Sequence, residues 1–225
     1  MKKLLLTVTA ILFAVMSVNA QFSNSGNTSK SKTKSQTGEI VGRGEINAGV
    51  AIGKISQNSN KSEKSLYAPI VSLNYGAKFN DYFYLGAGAG FKYLTGKLTD
   101  NEYATLSLSA SMIPVFAALR AFYPVSDDVA PFVMLDLGYS FCLSSKAKLT
   151  YNGYDPDPYY SRGSSQSQDA KLKGGLLLKV GAGIAFNKFT IGLGYEMQKI
   201  GSEYDELKDM SHNGFFINLG FVFKD

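Results

Sequence analysis

Alternation of apolar residues with small or polar residues at a period of two runs through the sequence after Gly42. It is clearest at residues 83–93, where Gly86, Gly88 and Gly90 share one face and apolar side chains occupy the other. Successive side chains of a β-strand point to opposite faces, so this period predicts strands. A phosphate-binding glycine loop would open a helix, whereas residues 91–94 continue the strand pattern.

Eight such segments are predicted, each with one large apolar face. They run through residues 46–52, 67–79, 83–93, 105–123, 133–141, 176–186, 189–197 and 215–223. In the fourth segment, Leu106 and Leu108 have the opposite parity to Val115 and Leu119. This change predicts a bulge within residues 111–114.

The connections between the predicted strands alternate in length. The short ones are residues 80–82, 124–129 and 187–188, and the long polar ones are residues 56–65, 95–104, 144–172 and 200–213. Short turns at one end and long loops at the other are typical of outer-membrane barrels, whose short turns are periplasmic. We therefore predict an all-β fold, an eight-stranded antiparallel up-and-down transmembrane β-barrel.

The first 42 residues predict export and a leading segment. Lys2 and Lys3 precede an apolar run at residues 4–18, which is too short to span a membrane as a helix and ends at a small-residue cleavage site. We expect residues 1–20 to be a signal peptide, residues 21–42 a disordered Ser/Lys-rich lead, and residues 43–225 the barrel domain.

The charge of the chain argues against a nucleic-acid partner. The full sequence has a formal net charge of +5, and loss of the two signal-peptide lysines lowers it to +3. Lysines of the lead account for most of this remaining positive charge, so the barrel domain is nearly neutral. Cys142 is the single cysteine, which excludes an internal disulfide.

The face opposite the apolar one combines glycines with charged residues, and it faces the barrel interior if the apolar face contacts lipid. We predict a lumenal polar network formed by Glu45, Lys92, Arg120, Asp136, Lys179 and Glu196. An eight-stranded barrel is just wide enough for side chains to fill its interior, and buried charges need partners. A two-residue turn at Asn187 and Lys188 would place Lys179 directly opposite Glu196.

Several motifs resemble the small outer-membrane β-barrel family of OmpA/OmpX type. They are M-I-P-V-F-A-A-L-R-A-F-Y-P at residues 112–124, D-L-G-Y-S-F at residues 136–141, and F-I-N-L-G-F-V-F at residues 216–223. The resemblance covers residues 43–225 and implies a monomeric or weakly associating barrel that the secretion and barrel-assembly machineries deliver to the Gram-negative outer membrane. The last strand is similar to the assembly signal of such barrels, although Lys224 and Asp225 follow the terminal aromatic residue Phe223.

No residue pattern predicts catalysis, a cofactor or a metal. His212 is the only histidine, is assigned to a polar loop, and lacks an accompanying nucleophile signature. Asp155 and Asp157 lack the spacing of a calcium loop. Aromatic residues at the ends of strands are explained by the girdles that transmembrane barrels place at the membrane interfaces.

Two functional hypotheses follow from the sequence. The first is a non-enzymatic protein in contact with outer-membrane lipid, with a structural or surface-interaction role through its exposed loops, which could contact a ligand or another protein. The alternative is a narrow pore for small solutes. The state of the lumen distinguishes them, and the predicted charges favour a filled interior.

Overall fold

The computed structural model describes residues 40–57, 60–62, 64–102, 104–151, 165–203 and 210–224. Eight long strands are β1 (Ile40–Gln57), β2 (Leu66–Phe79), β3 (Phe83–Asp100), β4 (Ala104–Phe122), β5 (Val129–Tyr151), β6 (Gly175–Phe186), β7 (Phe189–Ser202) and β8 (Met210–Lys224). Three short strands, Asn60–Lys61, Ser165–Asp169 and Leu172–Lys173, pair with β1, β5 and β7. The predicted signal peptide and residues 21–39 of the predicted lead lie outside the described residues.

The eight long strands close into a barrel. Each pairs antiparallel with the next in the chain, and β8 pairs with β1 through a ladder that includes Val50 opposite Ile217. Closure leaves no unpaired edge within this ring, so backbone N–H and C=O groups are satisfied where lipid offers no hydrogen bonds. The predicted fold class is confirmed.

The outward face carries the apolar residues that the alternation predicts. Val71, Leu193 and Phe215 are 58%, 63% and 74% exposed, as suits side chains that contact hydrocarbon rather than water. Phe83 and Phe189 stand outward beside the short turns. No helix among the described residues is long and apolar enough to cross a membrane.

The short turns set the register of their hairpins. Asn187 has a φ of 51°, a left-handed conformation that asparagine adopts more readily than most residues. Residues 187–188 form a two-residue connection, so Phe186 pairs with Phe189 and Lys179 pairs with Glu196. This is the register predicted from the sequence.

The strands extend further than predicted on the side of the long connections. β3 continues to Asp100 and β5 to Tyr151, so much of the expected loops at residues 95–104 and 144–172 is strand. Ten residues of a tilted strand cross an apolar band of about 25 Å, whereas β5 has 23 residues. Polar residues of the extension, such as Ser107 and Lys148, interrupt the apolar alternation but still pair through their backbones.

The structure has a bulge beside residues 111–112 of β4, as predicted, but the additional residue belongs to β5. The β4–β5 register shifts between Ser111, opposite Ser144, and Met112, opposite Cys142. Leu143 of β5 is therefore the additional residue. Leu108 is 4% exposed and belongs to the interior cluster, so the prediction that β4 changes faces within residues 111–114 is wrong.

Candidate functional site: the barrel lumen

Glycines on the inward face make room for polar side chains. A Cβ atom on Gly220 would contact Thr190 Oγ1 and Glu45 Oε1, and a Cβ on Gly88 would contact Asn74 Oδ1. At both positions the interior has no space for a side chain larger than the hydrogen atom of glycine. The glycine face therefore leaves the space that the longer lumenal side chains fill.

Three lumenal charges form a row across neighbouring strands. Asp136 on β5 is directly opposite Lys179 on β6, which is directly opposite Glu196 on β7. Lys179 Nζ lies 3.1 Å from Glu196 Oε2. Arg120 on β4 extends the row, because its guanidinium donates a hydrogen bond of 2.5 Å to Asp136 Oδ1. Four of the six predicted network residues thus follow one another around half of the barrel wall.

Lys92 connects this row to the opposite wall. It belongs to β3, four strands away from β7 in the ring of eight, and its ammonium group forms an ion pair with Glu196. The same ammonium donates a hydrogen bond of 2.5 Å to Gln198 Oε1. Gln198 in turn donates from Nε2 to Met112 Sδ at 2.8 Å. These side chains form a layer that crosses the lumen.

His212 belongs to this layer and not to a loop, which corrects the prediction made from its polar neighbours. β8 begins at Met210, and His212 is fully buried with Nδ1 3.7 Å from Glu196 Oε1. The signal was present in the sequence, because Phe216, Gly214 and His212 share the inward parity of β8. The polar composition of residues 210–213 concealed it.

Glu45 forms a separate cluster closer to the short turns. Thr190 Oγ1 donates a hydrogen bond of 2.6 Å to Glu45 Oε1. Arg43 Nη2 lies 4.0 Å from Glu45 Oε2, and the guanidinium lies 5.1 Å from the ring centre of Phe122. Within the described ranges, no hydrogen bond or ion pair joins Glu45 to the other five predicted residues. Arg43 and Thr190 were not predicted, although the inward parity of Glu45 extends to Arg43.

The lumen is closed at the level of Lys92. Lys92, Glu196 and His212 are fully buried. A cavity of about 20 Å³ remains beside Asn47, Asn218 and the charged row, enough for about one water molecule. At this level the described side chains fill the interior.

The sequence relates this closed barrel to a known family. The family described as outer membrane protein beta-barrel domain matches residues 9–223. The chain belongs to this family. It is thus an outer-membrane β-barrel protein of the Gram-negative envelope, with strands that cross the membrane and long connections on its surface. No curated protein sequence matches the chain at a significant level.

Solved structures with a similar fold have low sequence identity to the chain. One is Ail, the attachment invasion locus protein of Yersinia pestis, in complex with the heparin analogue sucrose octasulfate. Ail is 20% identical to this chain, the match covers 81% of this chain and 99% of Ail, and the TM-score is 0.43. Neisserial surface protein A is 15% identical, with 79% and 96% covered and a TM-score of 0.46. The N-terminal β-barrel domain of OprF from Pseudomonas aeruginosa is 15% identical, with 83% and 100% covered and a TM-score of 0.33.

Proposed function

We propose that this protein is a closed, non-enzymatic barrel that anchors a surface-exposed sheet in the outer membrane, where the sheet has a structural or interaction role. The observation that carries the proposal is the ion pair between Lys92 and Glu196, which crosses the lumen from opposite walls. A filled interior leaves the outer surface and the long connections as the parts available to other molecules.

The extended strands support a role at the cell surface. β3, β4, β5 and the short strand Ser165–Asp169 are consecutive neighbours in the extension. Lys148, for example, pairs with Ser107 on one side and with Ser167 on the other. A sheet of four paired strands presents a more defined surface than mobile loops of the same length would.

The β3–β4 end of this sheet is held by side-chain hydrogen bonds. Thr105 Oγ1 donates to Asp100 Oδ1 at 2.7 Å, and Lys97 Nζ donates to Asp100 Oδ2 at 3.1 Å. The hydrogen bond from Thr105, followed by that from Lys97, lowers the pKa of Asp100 below its ordinary value. Asp100 is therefore ionised at neutral pH, as these two donors require.

The absence of catalysis and of cofactors is part of the proposal. His212, the only histidine, is enclosed beside Glu196 and Lys92 and has no access to a substrate. The described residues contain no group of three or more His, Cys, Asp or Glu side chains that could hold a metal. We further propose a monomer that contacts outer-membrane lipid, is assembled by the barrel-assembly machinery, and binds no nucleic acid.

Planar-bilayer recording of the purified protein tests the closed lumen. We expect no steady conductance from the wild type, because a charged layer without exposed surface blocks the path. Lys92→Ser combined with Glu196→Ser should introduce conducting events, whereas Lys148→Ser on the extension should not. A large steady conductance of the wild type would refute the proposal and favour a narrow pore.

A further inference from the structure

The outward face of the barrel contains a pronounced apolar groove. Its volume is about 780 Å³, within the range of cavities that hold small organic ligands. It crosses β3, β4, β5, β6 and β7, and its outward-facing lining includes Ala87, Ala117, Leu137, Tyr139, Leu178 and Met197. A groove of this size distinguishes this side of the barrel from a smooth lipid-facing wall.

Differences in side-chain size along the wall account for the groove. Ala87 and Ala117 are direct neighbours on β3 and β4, and both are small. The row continues through Leu137, Leu178 and Met197, whose side chains extend further from the wall. Tyr139 and Phe141 pack together beside it, with ring centres 5.0 Å apart. The two alanines thus leave a depression beside the longer side chains of this row.

Two lysines mark the end of the groove that faces the long connections. Lys199 lines the groove, and Lys173 lies one residue pair further along, because Lys173 pairs with Gly201. Both are exposed, and neither forms an ion pair with any residue in the described part of the chain. Their neighbour Lys171, in contrast, lies 3.9 Å from Glu203. The groove is therefore apolar along its length and positively charged at one end.

We propose that this groove binds an acyl chain of a phosphate-bearing membrane lipid, whose headgroup phosphate pairs with Lys173 and Lys199. The barrel lies in a bilayer, so acyl chains are the apolar molecules in contact with the groove. The lysine stems can follow the apolar surface while their ammonium groups reach the headgroup level. Cations at that level attract anionic headgroups. The site lies outside the lumen and does not depend on whether the lumen conducts.

Two probes that differ in one phosphate test the site. Oleoyl lysophosphatidic acid and monooleoylglycerol carry the same acyl chain, and native mass spectrometry of the detergent-purified barrel counts the bound copies. We expect one retained copy of the phosphate-bearing probe and markedly weaker retention of the neutral one. Equal retention of the two probes by the wild type would overturn the assignment of the lysines.

Matched variants separate the groove from general lipid contact. Ala117→Phe fills the groove, whereas Ala48→Phe adds the same ring to an exposed outward position of β1 that does not line it. We expect the first to abolish retention and the second to leave it unchanged. Equal losses in both variants would show ordinary annular lipid and overturn the proposal. Heat-modifiable migration on gels verifies that each variant is folded.

The lysines have their own control. Removing one cation near a headgroup weakens anionic binding by about fivefold, so Lys173→Gln with Lys199→Gln should lower affinity by about 25-fold. Lys148→Gln removes another exposed lysine, which belongs to the extension and not to the groove, and should have no effect. A 25-fold loss of affinity with Lys148→Gln would contradict a lipid site in the groove. Barrel dimers that disappear in Ala117→Phe would also contradict it, because a second barrel would then occupy the groove.

Discussion

Lys92 and Glu196 lie four strands apart in a ring of eight, and their side chains meet in the middle of the lumen. Glu196 also forms an ion pair of 3.1 Å with Lys179 from the neighbouring strand and lies 3.7 Å from His212. One carboxylate is therefore shared by two lysines from different walls. This arrangement makes Glu196 the residue on which the charge balance of the layer depends.

The shared carboxylate predicts an unequal response to neutralising mutations. Glu196→Gln leaves two buried ammonium groups without their carboxylate and should cost about 3–5 kcal/mol of folding free energy. Lys179→Met should cost less, because Lys92 still pairs with Glu196. Urea unfolding in lipid vesicles measures both, together with the double mutant, which should recover part of the loss. Strictly additive losses, or a larger loss from Lys179→Met, would contradict the shared pair.

The contact between Lys179 and Glu196 could be predicted from the sequence, whereas the contact between Lys92 and Glu196 could not. The first follows from the length of the turn and the two-residue period of a strand, because these determine which residues pair across a hairpin. The second joins opposite walls, and it depends on how far the strands are staggered around the closed ring. A hydrophobic pattern does not report that stagger.

The limits of the strands were also only partly predictable. Alternation reports one-sided burial, so it indicated where β5 crosses lipid but not its continuation to Tyr151 in water. The same reasoning assigned His212 to a loop, because the residues around it are polar. Both errors occur where backbone pairing continues beyond the apolar band.

A side chain at position 220 should break the hydrogen bond between Thr190 and Glu45. A methyl group there would displace Thr190 Oγ1 from Glu45 Oε1, which are 2.6 Å apart. Gly220→Ala should therefore destabilise the barrel by about 1–3 kcal/mol, the cost of an unsatisfied buried polar group. Unfolding free energies in vesicles provide the measurement.

A second glycine serves as the control for Gly220. A Cβ atom on Gly201 would have its nearest neighbour at 3.4 Å, an ordinary contact, so Gly201→Ala should change stability by less than about 0.5 kcal/mol. Thr190→Val removes the same hydrogen bond as Gly220→Ala, and the two should be non-additive when combined. Full additivity would show that Gly220 acts through another contact.

The predicted signal peptide sets the expected start of the mature chain. Cleavage after Ala20 would leave Gln21 as the first residue of the protein in the outer-membrane fraction. N-terminal sequencing of that fraction measures this directly. Replacement of Ala20 by a bulky residue should slow cleavage and leave the precursor, because signal cleavage requires small side chains. An intact Met1 in the wild-type outer-membrane protein would refute the assignment.

The orientation of the barrel predicts which lysine and arginine residues trypsin can reach in intact cells. The connection at residues 144–172 should be exposed outside, with Arg162 as the expected site, whereas Lys188 in the turn between β6 and β7 should face the periplasm. Mass spectrometry of the fragments identifies the cleaved bond, and Arg162→Gln should remove it. Cleavage after Lys188, in cells whose periplasmic proteins remain intact, would reverse the orientation, because a turn at the periplasmic end is not accessible from outside.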